Sequence, residues 1–141
     1  MPLSEQDRRE ITDLISLHGH LMDAGELDRM TELFTPDITY DVSDFGYGSL
    51  HGIEAIRTAA LTAGDANPVA HHVTNIIITE SGNRILVQSK GIGIQADGTA
   101  GSVVYHDTVT RRPEGWRITY RRVTPRRKPL GGLFGAGPGQ E

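Results

Sequence analysis

The sequence contains no cysteine, which excludes a disulfide framework, a thiolate metal site and a cysteine nucleophile. It also lacks any stretch approaching the ~20 consecutive apolar residues that a bilayer-spanning helix needs. Its opening, MPLSEQDRRE, is polar and mixes acids with bases, unlike the basic start and apolar run of a secretory signal. Together these absences fit a soluble, cytoplasmic protein. There is no strong charge of one sign either: the formal balance is -4, which weighs against general nucleic-acid binding. The basic residues that do gather, Arg121, Arg122, Arg126, Arg127 and Lys128, read as a solvated strand edge and tail.

The 141 residues suit one domain large enough to bury a core. Ser4 and Asp7 have the spacing of a capping box, so a helix is expected to begin there. Ile11, Leu14, Ile15, His18 and Met22 recur at three- and four-residue steps and define its inward face. Gly25 supplies a helix end after Asp23-Ala24. A second short helix is expected over residues 26–34, ending before Pro36, then a strand over 38–42 and a third helix over 53–61.

From Val69 onward β-branched, period-two segments take over at 70–79, 84–95, 102–111 and 116–123. They are separated by Ser81-Gly82-Asn83, Ala96-Asp97-Gly98 and Pro113-Glu114-Gly115, which carry the residues tight turns demand. Helices first and an antiparallel meander afterwards make the chain α+β. The expected domain spans residues 1–130. Residues 131–141 read as a Gly-rich flexible tail whose only apolar anchors are Leu133 and Phe134.

The most informative polar feature is Ala70-His71-His72-Val73-Thr74-Asn75. Strand alternation puts His71, Val73 and Asn75 on one face and His72 and Thr74 on the other, so one histidine of the pair can line a pocket. His18 lies near the middle of the helical apolar stripe and should face inward. Asp23 lies about a third of a turn from the centre of that stripe, and the wheel alone does not bury it. On β-strand parity Tyr105 and Asp107 lie opposite His106, with either face free to be the inner one.

Several segments together carry a resemblance: Leu21-Met22-Asp23-Ala24-Gly25-Glu26-Leu27-Asp28, Leu33-Phe34-Thr35-Pro36-Asp37, and Leu50-His51-Gly52-Ile53. To these add His71 through Asn75, Tyr105 with Asp107, and Gly115-Trp116-Arg117-Ile118 with Arg121 and Arg122. In order and approximate spacing they resemble the SnoaL-like branch of the NTF2-like superfamily, over about residues 4–123. The resemblance implies a cone, in which a strongly curved, mainly antiparallel sheet wraps a long helix and encloses an apolar pocket.

It also implies an Asp23/His71 pair in that pocket, working without metal or organic cofactor as a lyase or isomerase on a small apolar, polycyclic or aromatic substrate. Histidine suits removal of an acidic C–H proton near neutral pH while the carboxylate orients the ring. Where several members carry tyrosine five residues before the aspartate, this chain carries His18, a third candidate catalytic group. Met22, Tyr40, Val42, Tyr47, Val73, Asn75, Tyr105 and Arg121 are the candidate substrate contacts. Polyketide cyclisation, epoxide hydrolysis through Asp107 and Arg121, and a non-catalytic binding module are the alternatives. The resemblance further implies a homodimer, with neither a nucleic acid nor a membrane as partner.

Overall fold

A computed structural model of the chain describes residues 2–134. Helix α1 runs Glu5–Asp23. Its start is the expected capping box: the Ser4 hydroxyl accepts from the Asp7 amide at 3.0 Å, and the Ser4 amide donates to the Asp7 carboxylate at 2.9 Å, which satisfies two of the free donors of a first helical turn. Ile11, Leu14, Ile15, His18 and Leu21 are buried, so the apolar stripe faces the core. Gly25, at φ 69°, takes the left-handed conformation that turns the chain out of the helix.

The second α-helix expected over 26–34 is a 3-10 turn, Leu27–Glu32, shortened from both sides. Gly25 stops the preceding helix, while Pro36 holds Thr35 extended and Phe34 already pairs with Ile118. Arg29 clips the turn by donating to both Glu26 and Glu32. Strand β1, Phe34–Asp41, therefore starts four residues earlier than the pattern of apolar residues suggested. Strand β2, Ser49–His51, is too short to have been seen in the sequence. Helix α2 follows at Ile53–Ala63.

The meander is as expected: β3 Ala70–Ser81, β4 Arg84–Ile94, β5 Ala100–Arg112 and β6 Gly115–Arg126. The six strands form one mixed, curved and unclosed sheet in the order β2-β1-β6-β5-β4-β3, with β1 and β6 parallel and the other pairs antiparallel. Helix α1 packs against β3 and β6. Ile11, Ile15, Leu21, Phe34, Val87 and Ile118 meet in the core between helix and sheet.

Two β-bulges decide what that concave face presents. In β3 the register slips between Thr74 and Ile77, and Asn75 sits at φ 56°, a left-handed conformation that asparagine tolerates better than most residues. Val73 is inward before the slip, and Ile76 and Ile78 are inward after it. In β6 the slip leaves Thr119 unpaired between Ile118 and Tyr120. Trp116 and Ile118 point inward before it, Arg121 and Val123 after it. Unbroken alternation from Trp116 would have turned Arg121 to solvent, where the charge-run reading had placed it.

Arg122, Arg126, Arg127 and Lys128 are exposed as expected. Of the Gly-rich tail expected at 131–141, residues 135–141 lie outside the described residues, and Leu133 and Phe134 are largely exposed. Among the described residues no helix is long and apolar enough to cross a membrane.

Candidate active site

Asp23 ends α1 and His71 stands near the start of β3, 48 residues later. They meet because α1 presses unusually close to β3. A Cβ on Gly19 would lie 2.7 Å from the His71 carbonyl oxygen, nearer than atoms pack. Glycine in mid-helix costs roughly 0.5–1 kcal/mol relative to alanine, and here it lets the strand backbone lie against the helix. One turn further along the same helical face, the Asp23 carboxylate accepts from the His71 backbone amide at 3.0 Å and contacts the ring Nδ1 at 2.7 Å.

An ionised carboxylate can only accept, so Nδ1 carries the ring proton of a neutral His71 and Nε2 keeps its lone pair. The two side chains remain 21% and 28% exposed, His71 and Asp23 respectively, so they sit at the rim of the concavity and not in its depth. His72 is exposed on the opposite face, as alternation required.

Deeper in, His18 is buried, with its ring 6.0 Å from that of His71 and 6.0 Å from that of Tyr105, both edge-on, and 6.2 Å from Phe34. Its Nδ1 is buried with no hydrogen-bond partner among the described residues. Burial, followed by the nearby Arg121 charge and by that of His71 when it is protonated, holds His18 well below the usual 6.5 and keeps it neutral.

The floor is an ion pair. Arg121 donates through Nε and Nη2 to the two Asp107 carboxylate oxygens at 2.7 and 2.9 Å, with both side chains fully buried. The guanidinium lies 4.2 Å from the centre of the Tyr105 ring, a cation–π stack. Burial opposes the Arg121 charge, but Asp107 outweighs it and the guanidinium is held more firmly protonated than usual. Its Nη1 has no partner among the described residues. The Tyr40 and Tyr105 hydroxyls are both pushed up by burial, so they are proton donors and not phenolates at neutral pH.

The strand parity left open is settled: Tyr105 and Asp107 face inward and His106 is exposed. Of the other expected contacts, Met22, Tyr40 and Val73 pack on the core edge, and Val42 is half-buried just past β1. Two expectations fail. Tyr47 is 80% exposed in the loop before β2, because Gly46 and Gly48, both at positive φ, carry that loop away from the sheet. Asn75 is exposed, because it is the bulge residue and not the next step of the alternation. The sequence reading also passed over Gly19. Its only signal was a glycine inside an apolar helical stripe, one turn before a carboxylate.

Residues 4–122 match the SnoaL-like domain family. The chain belongs to that family. No curated protein matches it. Among solved structures, this SnoaL-like chain is similar to a Novosphingobium aromaticivorans protein provisionally named an aromatic ring hydroxylase. That pair is 27% identical, with 90% of this chain and 94% of the other covered and a TM-score of 0.75. LinA, a hexachlorocyclohexane dehydrochlorinase, is 21% identical over 96% of this chain and 100% of its own, with a TM-score of 0.72. A protein provisionally named a scytalone dehydratase, also from N. aromaticivorans, is 19% identical over 86% and 85%, with a TM-score of 0.70. These likenesses establish the NTF2-like, cystatin-like fold that the sequence resemblance implied.

Proposed function

We propose that this SnoaL-like protein is a cofactor-independent lyase or isomerase in which His71 removes a proton from carbon and Asp23 positions it. The observation that carries the reading is the 2.7 Å contact between His71 Nδ1 and Asp23, reinforced by the carboxylate's second hold on the His71 amide. A carboxylate fixed in this way selects the tautomer whose Nε2 is basic and stabilises the imidazolium that forms. Family membership and the dehydrochlorinase and dehydratase names among the similar folds support elimination chemistry.

The wall around the pair suits a small, largely apolar substrate of polycyclic or aromatic character. Phe34, Tyr40, Val73 and Tyr105 supply apolar area, with Met22 and Val42 at the edge, and the Arg121 Nη1 has no partner among the described residues. Epoxide hydrolysis by two aspartates around an arginine is less well supported, because a single carboxylate, Asp107, takes both of the paired Arg121 nitrogens. A homodimer is part of the proposal, to be read by light scattering after size exclusion, where a monomer would remove it.

The test of the chemistry is a panel of hydroxylated polycyclic ketones offered to the wild type, His71→Ala and Asp23→Asn. Loss of the general base is expected to lower kcat by about 10²–10⁴-fold. Equal turnover by all three proteins would exclude the pair.

A further inference from the structure

We propose that the end of the sheet that carries His71 docks on an anionic lipid surface, through exposed apolar and basic side chains around it, and that the site there takes its substrate from the lipid. The docking stands on the surface alone, and only its use for substrate supply rests on the Asp23–His71 reading. Here the chain departs from the family resemblance, which implies no membrane partner.

The large apolar side chains exposed among the described residues gather at one place. Tyr47, Val69, Ile92, Leu130, Leu133 and Phe134 belong to that group, and Leu61 on α2 and Ile77 in β3 are the others. Strand register brings the group together. Arg126, at the end of β6, lies in one row with Ser102, Ile92 and His72. The chain beyond β6 therefore emerges at the end of the sheet where β3 begins, three strand spacings or roughly 14 Å from it. Val69 directly precedes β3 and donates its amide to the Ile94 carbonyl at 2.8 Å. The loop that carries Tyr47 reaches the same end, because β1 runs parallel to β6. Asp44 of that loop accepts from Arg122 and Thr124, and the Arg127 guanidinium lies 5.8 Å from the centre of the Phe45 ring.

Charge and conformation single out a lipid surface. Arg126, Arg127 and Lys128 are exposed, and none of them pairs with a carboxylate among the described residues. The chain as a whole is negative, at -4, so this short run opposes the rest of the molecule in sign and turns it toward an anionic surface. Immediately after the run, Leu130, Leu133 and Phe134 are 72%, 71% and 70% exposed. Leu130 holds a left-handed φ of 54°, unfavourable for a bulky residue, without burying its side chain in return. Backbone strain that nothing inside the fold rewards points to a role outside it. The apolar side chains come from four separate segments and present no single helix face or strand edge for a protein to pair with. A lipid surface needs none: apolar side chains enter the acyl boundary while the cations meet the headgroups. A substrate of the apolar kind proposed above is concentrated in lipid and scarce in water, and the partly exposed Asp23–His71 pair stands at the end that faces it.

The test is flotation of the full chain with vesicles of phosphatidylglycerol and of phosphatidylcholine at ~0.1 M salt. Binding to phosphatidylglycerol is expected to be at least tenfold tighter. Leu133→Ser combined with Phe134→Ser is expected to weaken it at least tenfold. Arg126→Gln, Arg127→Gln and Lys128→Gln together are expected to bring it down to the phosphatidylcholine level. All five side chains are exposed, so both variants are expected to keep the wild-type unfolding midpoint. Absence of binding to phosphatidylglycerol overturns the proposal, and so does equal binding to phosphatidylcholine, or either variant binding as the wild type does.

A serine variant that turns a wild-type dimer into a monomer, with the wild type unbound by vesicles, would assign the surface to a second copy of the chain and overturn the proposal as well. For substrate supply, turnover from vesicles is expected to fall at least tenfold in the serine variant while turnover from water stays the same, and no fall from vesicles overturns that part. Failure of the base reading is separable: His71→Ala is expected to float with phosphatidylglycerol as the wild type does, whatever its turnover.

Discussion

The concave face holds two acid–base couples of the same length and opposite character. Asp107–Arg121 and Asp23–His71 are each joined at 2.7 Å. The first is sealed at 0% exposure on both sides, and the second keeps 28% and 21% for Asp23 and His71. Arginine cannot lose its proton in a protein, whereas histidine exchanges one near neutrality. The lower couple is therefore fixed architecture, while the upper one is the couple that the proposed reaction uses. The difference comes from position: β5 and β6 bring Asp107 and Arg121 into direct register in the sheet interior, while Asp23 and His71 join a helix end to an edge strand.

This contrast predicts that damage to the floor is read in stability and damage to the rim in turnover. Asp107→Ala leaves a buried guanidinium uncompensated and is expected to destabilise the fold by about 3–5 kcal/mol in denaturant titration. A loss below about 1 kcal/mol would mean that the floor is as dispensable as a surface pair. Asp23→Asn is the opposite case. Activity is expected to fall about 10²-fold on the substrate found, with the unfolding midpoint nearly unchanged, and a large loss of stability would erase the distinction between the couples.

A smaller effect sharpens the boundary between them, where His18 sits. In the unfolded chain His18 takes up a proton near pH 6.5, while in the folded protein burial and neighbouring positive charge delay this to much lower pH. The unfolded state then binds more protons as pH falls below about 6.5, so stability should decline in that direction and be fully retained above it. His18→Gln is expected to flatten that slope in chemical denaturation measured from pH 7 to 5.

The smallest effect lies outside the cone. Ser4→Ala is expected to cost about 1 kcal/mol by removing the N-cap. Asp7, held at about 2 by its hydrogen bonds to Ser4 and Arg111, contributes to stability above its unfolded value of 3.8. That contribution should fade as pH falls through about 2, with Asp7→Asn insensitive over the same range.

Much of this arrangement was legible in the sequence, for identifiable reasons. Caps and turns are local chemistry, so Ser4, Asp7, Gly25 and the three meander turns located α1 and the four long strands. Alternation rightly put His71 and His72 on opposite faces because the two sit before the bulge, where the period of two still holds. It failed at Asn75 and for the run at Arg121, since a bulge inserts one residue into a count that has no means of registering it. Asp23 was undetermined by the helical wheel because its partner comes from a strand 48 residues away. The closeness of that strand depends on what Gly19 lacks, and a missing side chain leaves little trace in a hydropathy pattern.

The bulge at Asn75 divides β3 into two stretches whose inward positions fall on opposite residue parity. Before it, the inward positions are His71, which meets Asp23, and Val73; after it, Ile76 and Ile78 face the core. A residue-by-residue substitution scan along the strand should thus show sensitivity at odd numbers up to 73 and at even numbers from 76. Deleting Asn75 would remove the extra residue and bring the two halves into one rhythm, with His71, Val73, Ile76 and Ile78 on alternate positions of a single inward face. The SnoaL-like chain thus carries the positions of the proposed base and of the core on a single strand, in two residue counts that one left-handed asparagine offsets.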